Sequence, residues 1–216
     1  MSPRTKEQNE EIRRQRMQQI MQAAILVYAE KGYAASEIGE VAERAGLARG
    51  LVYHYFKSKQ ALFQELYETM MERTQQRAIL HFSQERNALE LFGEYAQLVC
   101  RQMLDEPEVS RFYNRIPLDV HYLYLSEERS PFQWMTEYIK PMAAAIEKGI
   151  SRGEIRSGDT SLLARQFWGA VSEGMNYLEQ LRQDDRSKGI PEQETKEQLA
   201  KAVGQIVESA ISVVRK

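Results

Sequence analysis

The fold of this chain is decided by the stretch SEIGEVAERAGLARGLVYHYFKSK, which runs from Ser36 to Lys59. Its first apolar residues recur at offsets of three and four, which places them on one face of a short helix. They are Ile38, Val41, Ala42 and Ala45. Ser36 is expected to cap the start of this helix through its hydroxyl. Gly46 is expected to end it, because a left-handed turn favours a residue without Cβ.

A second short helix is predicted after this turn, from about Ala48 to Phe56. Leu51 and Val52 can pack against the first helix, and the residues around them supply cations, a glycine and aromatic hydroxyls. Two short helices joined by a turn that contains glycine form a helix-turn-helix. Side chains of these kinds suit the phosphates and base edges of DNA. The stretch therefore predicts a DNA-binding motif whose second helix carries the contacts.

The same region resembles the TetR family of bacterial repressors over roughly residues 16 to 66. The resemblance rests on an ordered set of motifs whose spacing is kept without a gap. These motifs are IMQAAILVYAEKGY at 20–33, VA at 41–42, AGL at 45–47, GLVY at 50–53 and YFKSKQAL at 55–62. The resemblance implies an all-α protein of about nine helices. An N-terminal three-helix DNA-binding domain would be followed by a helical domain for ligand binding and dimerisation.

Chemistry and the resemblance together assign the DNA contacts to the helix-turn-helix. Arg49 is the candidate for reading a base, because its guanidinium can bind guanine O6 and N7 bidentately. Gly50 lets the helix approach DNA closely. The other expected contacts are Ser36, Ala48, Tyr53, His54, Tyr55 and Lys59. Tyr55 can equally belong to the core, and the core is the better interpretation for Phe56.

One position departs from the family pattern in an informative way. Ala48 stands where the family usually has a serine or threonine that caps the second helix and touches DNA. An alanine cannot supply that cap, which costs about 0.5–2 kcal/mol.

Composition and charge are those of an ordinary globular protein. The 216 residues, of which 43% are apolar and 28% charged, suffice for one compact unit or two small domains. The whole chain carries a net charge of −2, yet residues 1–60 hold ten Lys or Arg against seven Asp or Glu. This mild asymmetry agrees with a DNA-binding N-terminal region. Without a signal peptide or an apolar span, and with Cys100 as the single cysteine, we expect a cytoplasmic protein that does not insert into membranes.

Beyond the motif the chain continues as amphipathic helices, and we divide it into a DNA-binding domain (1–58) and a ligand-binding and dimerisation domain (59–216). A fourth helix begins after Ser58 and belongs to both halves. The helices predicted after it run from about Asn87 to Met103, from Pro107, from Pro131 to about Arg152 with a kink at Pro141, from Thr160 to Gln183, and from Glu192 to Val214.

Aromatic side chains are concentrated in the middle of the C-terminal part, where the resemblance implies an inducer site. Tyr and Trp offer a flat apolar face and a polar group, which suits a planar or amphipathic organic ligand. Most of these residues can instead be core. The candidate pocket consists of Phe92, Tyr95, Val99, Phe112, Tyr113, Ile116, Tyr122, Trp134, Tyr138, Phe167, Trp168 and Met175. Three carboxylates, Glu94, Asp119 and Glu137, leave room for a cation, and the alternative is that all three are simply solvated.

The last two predicted helices carry wide apolar faces, and we expect them to form a four-helix dimer interface. The expected interface residues are Leu163, Phe167, Val171, Gly174, Leu178, Leu199, Val203, Ile206 and Ala210. The alternative is a helical hairpin that is buried wholly within one subunit.

These features predict a homodimeric repressor that binds a pseudo-palindromic DNA operator and is released by a small hydrophobic or aromatic inducer. Neither a metal nor a cofactor is expected. The alternative is a DNA-binding structural or assembly factor without a small-molecule ligand. An enzyme is disfavoured, because the sequence contains no H-E-x-x-H or C-x-x-C motif.

Overall fold

The computed structural model describes residues 5–124 and 133–216. Within these ranges all regular secondary structure is helical, in nine helices, which confirms the all-α class. In chain order they are α1 (Lys6–Ala35), α2 (Ile38–Arg44), α3 (Arg49–Tyr55), α4 (Lys59–Phe82), α5 (Ala88–Asp105), α6 (Pro107–Leu123), α7 (Gln133–Ser151), α8 (Thr160–Lys188) and α9 (Glu192–Ser212). None of the described helices combines the length and hydropathy that crossing a membrane requires.

The described residues form two units. Unit 1 contains residues 5–70 and 111–124, and unit 2 contains residues 71–110 and 133–216. This division differs from the predicted boundary after residue 58, because the first part of α4 and most of α6 belong to unit 1. Leu62, Phe63 and Leu66 of α4 are buried there. Unit 1 is therefore larger than the helix-turn-helix that it contains.

Local capping signals account for several helix ends. Thr5 and Gln8 form a reciprocal capping box at the start of α1, a T-x-x-Q signal that the sequence analysis missed. Asn87 and Asp159 cap α5 and α8 by accepting from backbone N–H groups three residues on. Pro107 opens α6, as predicted for the first turn of a helix.

The end of α8 differs most from its predicted position. α8 continues past Gln183 to Lys188, where Gly189 takes a left-handed conformation with φ 69° and ends it. α7 is helical on both sides of Pro141. The predicted start of that helix at Pro131 lies outside the described residues.

Unit 2 has two apolar cores. The larger core is formed by residues of α5, α7, α8 and the ends of α4 and α9. Its fully buried side chains include Phe92, Tyr138 and Phe167. The smaller lies where α5 meets α8 and α9, and it contains Cys100, Leu178, Leu199, Ala202, Val203 and Ile206. Cys100 is fully buried, as expected for a small apolar side chain, and burial raises the pKa of its thiol to about 11.

The side chains predicted to form a dimer interface are instead packed inside a single chain. All of them are buried, and Gly174 lies so close to Ile206 that a Cβ on this glycine would overlap the Ile206 side chain. These residues thus make the internal contacts between α8 and its neighbours that the hairpin alternative describes. A dimer contact through α8 or α9 would have to use other faces of these helices, because a buried side chain offers no surface to a partner.

Candidate DNA-binding surface and ligand site

A tight turn connects α2 to α3. The N–H of Gly46 donates to the carbonyl of Glu43 and that of Leu47 to the carbonyl of Ala42, the two bonds of a Schellman motif. Gly46 has a φ of 65°, which confirms the predicted end of the first helix. Ala48 is the N-cap of α3 and supplies no side-chain hydrogen bond, as the sequence predicts.

Buried residues fix which face of α3 points outward. Val52 is fully buried and Phe56 is 6% exposed, which confirms the core assignment of Phe56. The opposite face leaves Arg49, Gly50 and His54 exposed. This face is therefore available to a macromolecule.

The exposed face of α3 combines a cation with aromatic polar groups. The guanidinium of Arg49 lies 5.7 Å from the centre of the Tyr53 ring, and a hydrogen bond with Tyr53 raises the pKa of Arg49. His54 packs edge-on against the half-buried Tyr55, with ring centres 5.6 Å apart. A Cβ on Gly50 would meet nothing within 4 Å, so its surroundings are open. The arrangement can present hydrogen-bond donors to base edges and phosphates.

The prediction that Ser36 caps α2 is wrong, and the position of its side chain disfavours the predicted DNA contact. Ser36 is fully buried, and its hydroxyl donates to the carbonyl of Gly32 at 2.6 Å. It thereby closes the end of α1, whereas Glu37 occupies the N-cap of α2 without a side-chain bond.

Lys59 has a structural partner that the sequence did not indicate. Its ammonium donates to the carbonyl of Ala34 at 2.8 Å and lies 4.8 Å from the centre of the Tyr33 ring. Lys59 thus ties the start of α4 to the end of α1. Its neighbour Lys57 is exposed and is the more accessible cation for a phosphate.

α6 supports the same end of α1, which sequence reasoning missed. One carboxylate oxygen of Asp119 accepts hydrogen bonds from the Tyr28 hydroxyl at 2.9 Å and from the Tyr33 backbone N–H at 3.0 Å. The side-chain amides of Gln60 and Gln64 donate to the carbonyl of Leu123 at the end of α6. α1 and α4, which flank the helix-turn-helix, are thus attached to α6 by polar contacts.

The predicted pocket residues are divided between the two units. Phe112, Tyr113, Ile116 and Tyr122 lie in unit 1, and the other eight lie in unit 2. In unit 2 the hydroxyls of Tyr95 and Tyr138 are 2.7 Å apart, and Trp168 packs edge-on against Tyr138. Phe92, Val99, Trp134 and Phe167 belong to the same core cluster, whereas Met175 is half-buried on α8. The unit 2 aromatic residues thus contribute mainly to a packed core.

The carboxylates proposed to hold a cation all have partners. Glu94 pairs with Arg86 and Glu137 with Lys140, and Arg86 lowers the pKa of Glu94. Asp119 is bound to Tyr28 and to the Tyr33 backbone, as described above. None of the three is poised to receive a cationic ligand.

Unit 2 contains two cavities whose linings include none of the predicted pocket residues. The larger, of about 980 Å³, lies between α5, the end of α8 and α9. We call it the α5–α9 groove. The smaller, of about 410 Å³, lies between the C-terminal half of α4 and α7.

Known proteins resemble this chain, most clearly in its helix-turn-helix region. Residues 20–66, which span α2, α3 and parts of α1 and α4, match the model of the bacterial regulatory proteins of the tetR family. The helix-turn-helix region of the chain therefore carries the signature of the TetR family. It is 29% identical over 170 residues to the fatty acid metabolism regulator protein of Bacillus subtilis, covering 74% of this chain and 82% of that protein. It is also 35% identical over 68 residues to the transcriptional regulator AcrR of Shigella flexneri, which covers 32% and 30% of the two chains.

Solved structures of bacterial regulators share the fold of this chain over most of their length. FadR from Bacillus subtilis, solved in complex with stearoyl-CoA, superposes with a TM-score of 0.65 at 22% identity. That match covers 92% of this chain and 99% of FadR. A regulator from Marinobacter aquaeolei superposes with a TM-score of 0.68 at 18% identity, covering 96% and 99%.

Proposed function

We propose that this protein is a ligand-responsive transcriptional repressor of the TetR family that binds a pseudo-palindromic operator as a homodimer. The exposed face of α3, with Arg49, Tyr53 and His54 above a buried Val52, is the observation that supports DNA binding most directly. α3 would enter the major groove, and two copies would read half-sites about 34–36 Å apart. Repression would follow from occupancy of the operator.

The proposed dimer uses the outer face of α8. Leu162 and Tyr177 are apolar residues that remain 54% and 51% exposed in the single chain. Gly169 lies between them on the same face, and a Cβ there would meet nothing within 4 Å. A second copy of the chain is the occupant that DNA binding requires, because one recognition helix covers only one half-site.

The proposed inducer is a small organic molecule, and fatty acyl thioesters are the first class to test. The support is the likeness to a fatty acid metabolism regulator over four-fifths of that protein's length and to FadR, whose structure contains stearoyl-CoA. A ligand releases a repressor only by binding the DNA-incompetent state more tightly. Linkage then requires operator DNA to weaken ligand binding by the same factor.

The test is a selection of random duplexes with the purified full chain, followed by fluorescence anisotropy on the selected operator. The proposal expects an inverted repeat as the selected site, one dimer or a whole number of dimers per site, and release of DNA by an acyl thioester. Binding to DNA without sequence preference, together with no response to a panel of acyl thioesters and aromatic compounds, would support the structural or assembly factor instead.

A further inference from the structure

The α5–α9 groove of unit 2 has the size of a small-molecule site. Its volume of about 980 Å³ lies at the upper end of the range for such sites, roughly 300–1,000 Å³. At one end the two helices touch, since a Cβ on Gly93 would lie 2.9 Å from Cδ1 of Ile211. From there the lining runs along α5 to Asp105 and along α9 to Glu192. The groove is therefore elongated and closed at one end.

The floor of the α5–α9 groove is apolar. It consists of Leu104, Ile190, Leu199, Val203 and Val207. Leu199 and Val203 belong to the smaller core of unit 2 and are each 6% exposed. The floor is therefore held in place by its packing against that core. On the α9 side Gly204 leaves open space, because a Cβ there would meet nothing within 4 Å. An apolar chain can lie along this floor.

Cations outnumber carboxylates on the rim of the groove. The lining contains four cations and two carboxylates, although the whole chain carries a net charge of −2. The cations are Arg101, Arg182, Arg186 and Lys196, and the carboxylates are Asp105 and Glu192. Two of these cations are neutralised, because Arg182 pairs with Glu179 and Lys196 with Glu192. Arg101 on α5 and Arg186 on α8 have no ion-pair partner among the described residues. Two unpaired guanidinium groups thus border an apolar floor.

We infer that the α5–α9 groove binds an organic phosphate that carries an apolar chain. Guanidinium groups bind phosphate bidentately, and the floor covers an acyl chain from water. This inference rests on the proposed ligand response and assigns it a site that the aromatic cluster does not provide. An acyl-CoA thioester and an anionic phospholipid share this chemistry, and they are distinguished by experiment.

The first experiment measures binding of four probes to the full chain by isothermal titration calorimetry. The probes are stearoyl-CoA below its critical micelle concentration, CoA, stearate, and phosphatidylglycerol vesicles. The inference expects saturable binding of either stearoyl-CoA or the vesicles, with CoA and stearate weaker because each supplies half of the chemistry. Which of the two binds identifies the source of the phosphate. Absence of binding to all four probes would overturn the inference.

The second experiment places the ligand in the groove with matched variants of α8. Arg186→Glu reverses a charge that lines the groove, whereas Lys188→Glu reverses an exposed charge two residues along that does not line it. Both substitutions remove a cation from the last turn of α8, so they share the cost of opposing the helix dipole. Arg186→Glu should weaken binding of the probe by about tenfold or more. Addition of Arg101→Glu to this variant should weaken binding further. Lys188→Glu should leave the affinity within a factor of about two of wild type.

A third variant blocks the floor without removing a charge. Gly204→Leu fills open space on a helix with a better helix former, so the chain should fold with an unchanged or raised melting temperature. Binding of the probe should then be lost. Wild-type affinity in both Arg186→Glu and Gly204→Leu would show that the ligand binds elsewhere.

The same samples separate this inference from the proposed function. If stearoyl-CoA binds in the groove but leaves operator affinity unchanged, the groove assignment stands and the inducer role fails. If stearoyl-CoA releases the operator equally from wild type and from Arg186→Glu, the inducer role stands and the groove assignment fails.

Discussion

The carboxylate of Asp119 accepts a hydrogen bond from the hydroxyl of Tyr28 at 2.9 Å, although 91 positions separate the two residues. The same oxygen accepts from the backbone N–H of Tyr33, directly after Gly32, where α1 leaves helical geometry with a φ of 74°. Burial first, and then this carboxylate, raise the pKa of Tyr28 well above its ordinary value. α6 thus fixes the end of α1 that precedes the helix-turn-helix.

Removal of this carboxylate should destabilise unit 1. Asp119→Ala leaves the buried Tyr28 hydroxyl and the Tyr33 N–H without an acceptor, which costs about 1–3 kcal/mol. Asp119→Asn keeps a carbonyl oxygen and should lose less. Urea denaturation measures both, with Asp184→Ala on the exposed side of α8 as the control. Equal stability of Asp119→Ala and wild type would show that water replaces the carboxylate.

The sequence predicts the helix-turn-helix well because its signals are local. Gly46 occupies the left-handed turn and Val52 the buried face, and both can be identified from neighbouring residues. Ser36 was misassigned because the same serine can begin one helix or close the previous one. Its bond to Gly32, four residues earlier, decides between them, and that bond depends on how α1 ends.

The sequence could not identify the contacts that depend on the tertiary structure. The period of apolar residues on α8 indicates that Val171 and Leu178 are buried, but it is the same whether they face their own chain or a partner. Asp119 appears in the sequence only as a polar residue on a helix, and its partner Tyr28 is known once α6 is placed on α1. The α5–α9 groove combines residues from three helices that share no sequence motif.

Arg49 should control sequence preference. Arg49→Ala is expected to weaken operator binding by roughly 10- to 100-fold and to relax the preference at one base position per half-site. Arg49→Lys should restore only part of the affinity, because an ammonium lacks the rigid planar fork that matches guanine O6 and N7. Anisotropy with operator and scrambled duplexes measures the effect, and Arg44→Ala is the control because Arg44 pairs with Glu30. An equal loss of affinity for both duplexes would show that Arg49 contacts phosphate and does not read a base.

Substitution of two neighbouring lysines should distinguish a contact with DNA phosphate from a contribution to stability. Lys57→Ala removes an exposed cation and should lower the slope of log K against log salt by about one, without a change in melting temperature. Lys59→Ala should lower the melting temperature as well, because its ammonium bonds to the Ala34 carbonyl. Salt titrations and thermal unfolding of both variants provide the comparison. An unchanged salt slope in Lys57→Ala would place this lysine away from DNA.

The outer and inner faces of α8 should respond differently to substitution. Leu162→Glu adds a charge to a side chain that is 54% exposed, so the chain should fold, sediment as a monomer and lose operator binding. Gly174→Ala forces a Cβ against buried Ile206 and should lower stability without a specific effect on assembly. Analytical ultracentrifugation and circular dichroism measure both. A dimer of Leu162→Glu with wild-type affinity would place the interface on another face.

The buried thiol of Cys100 should make the protein sensitive to alkaline pH. Burial raises the pKa of this thiol from 9.0 to about 11 in the folded chain. Between these pH values the unfolded chain has lost the thiol proton and the folded chain retains it. The unfolded state therefore binds fewer protons, and the free energy of unfolding falls as pH rises, by roughly 2–3 kcal/mol across the whole interval.

Urea denaturation from pH 8.5 to 10.5 tests this prediction against Cys100→Ala, which cannot ionise at this position. The variant should be less stable at pH 8.5, because it leaves a small cavity, but its stability should fall less steeply with pH. Part of the decline should remain in the variant, since burial also raises the pKa of Tyr28 and Tyr67. The folded thiol should also react slowly with a disulfide reagent at pH 9 and rapidly once urea unfolds the chain. Parallel pH profiles of wild type and Cys100→Ala would mean that the thiol ionises equally in both states and is open to solvent.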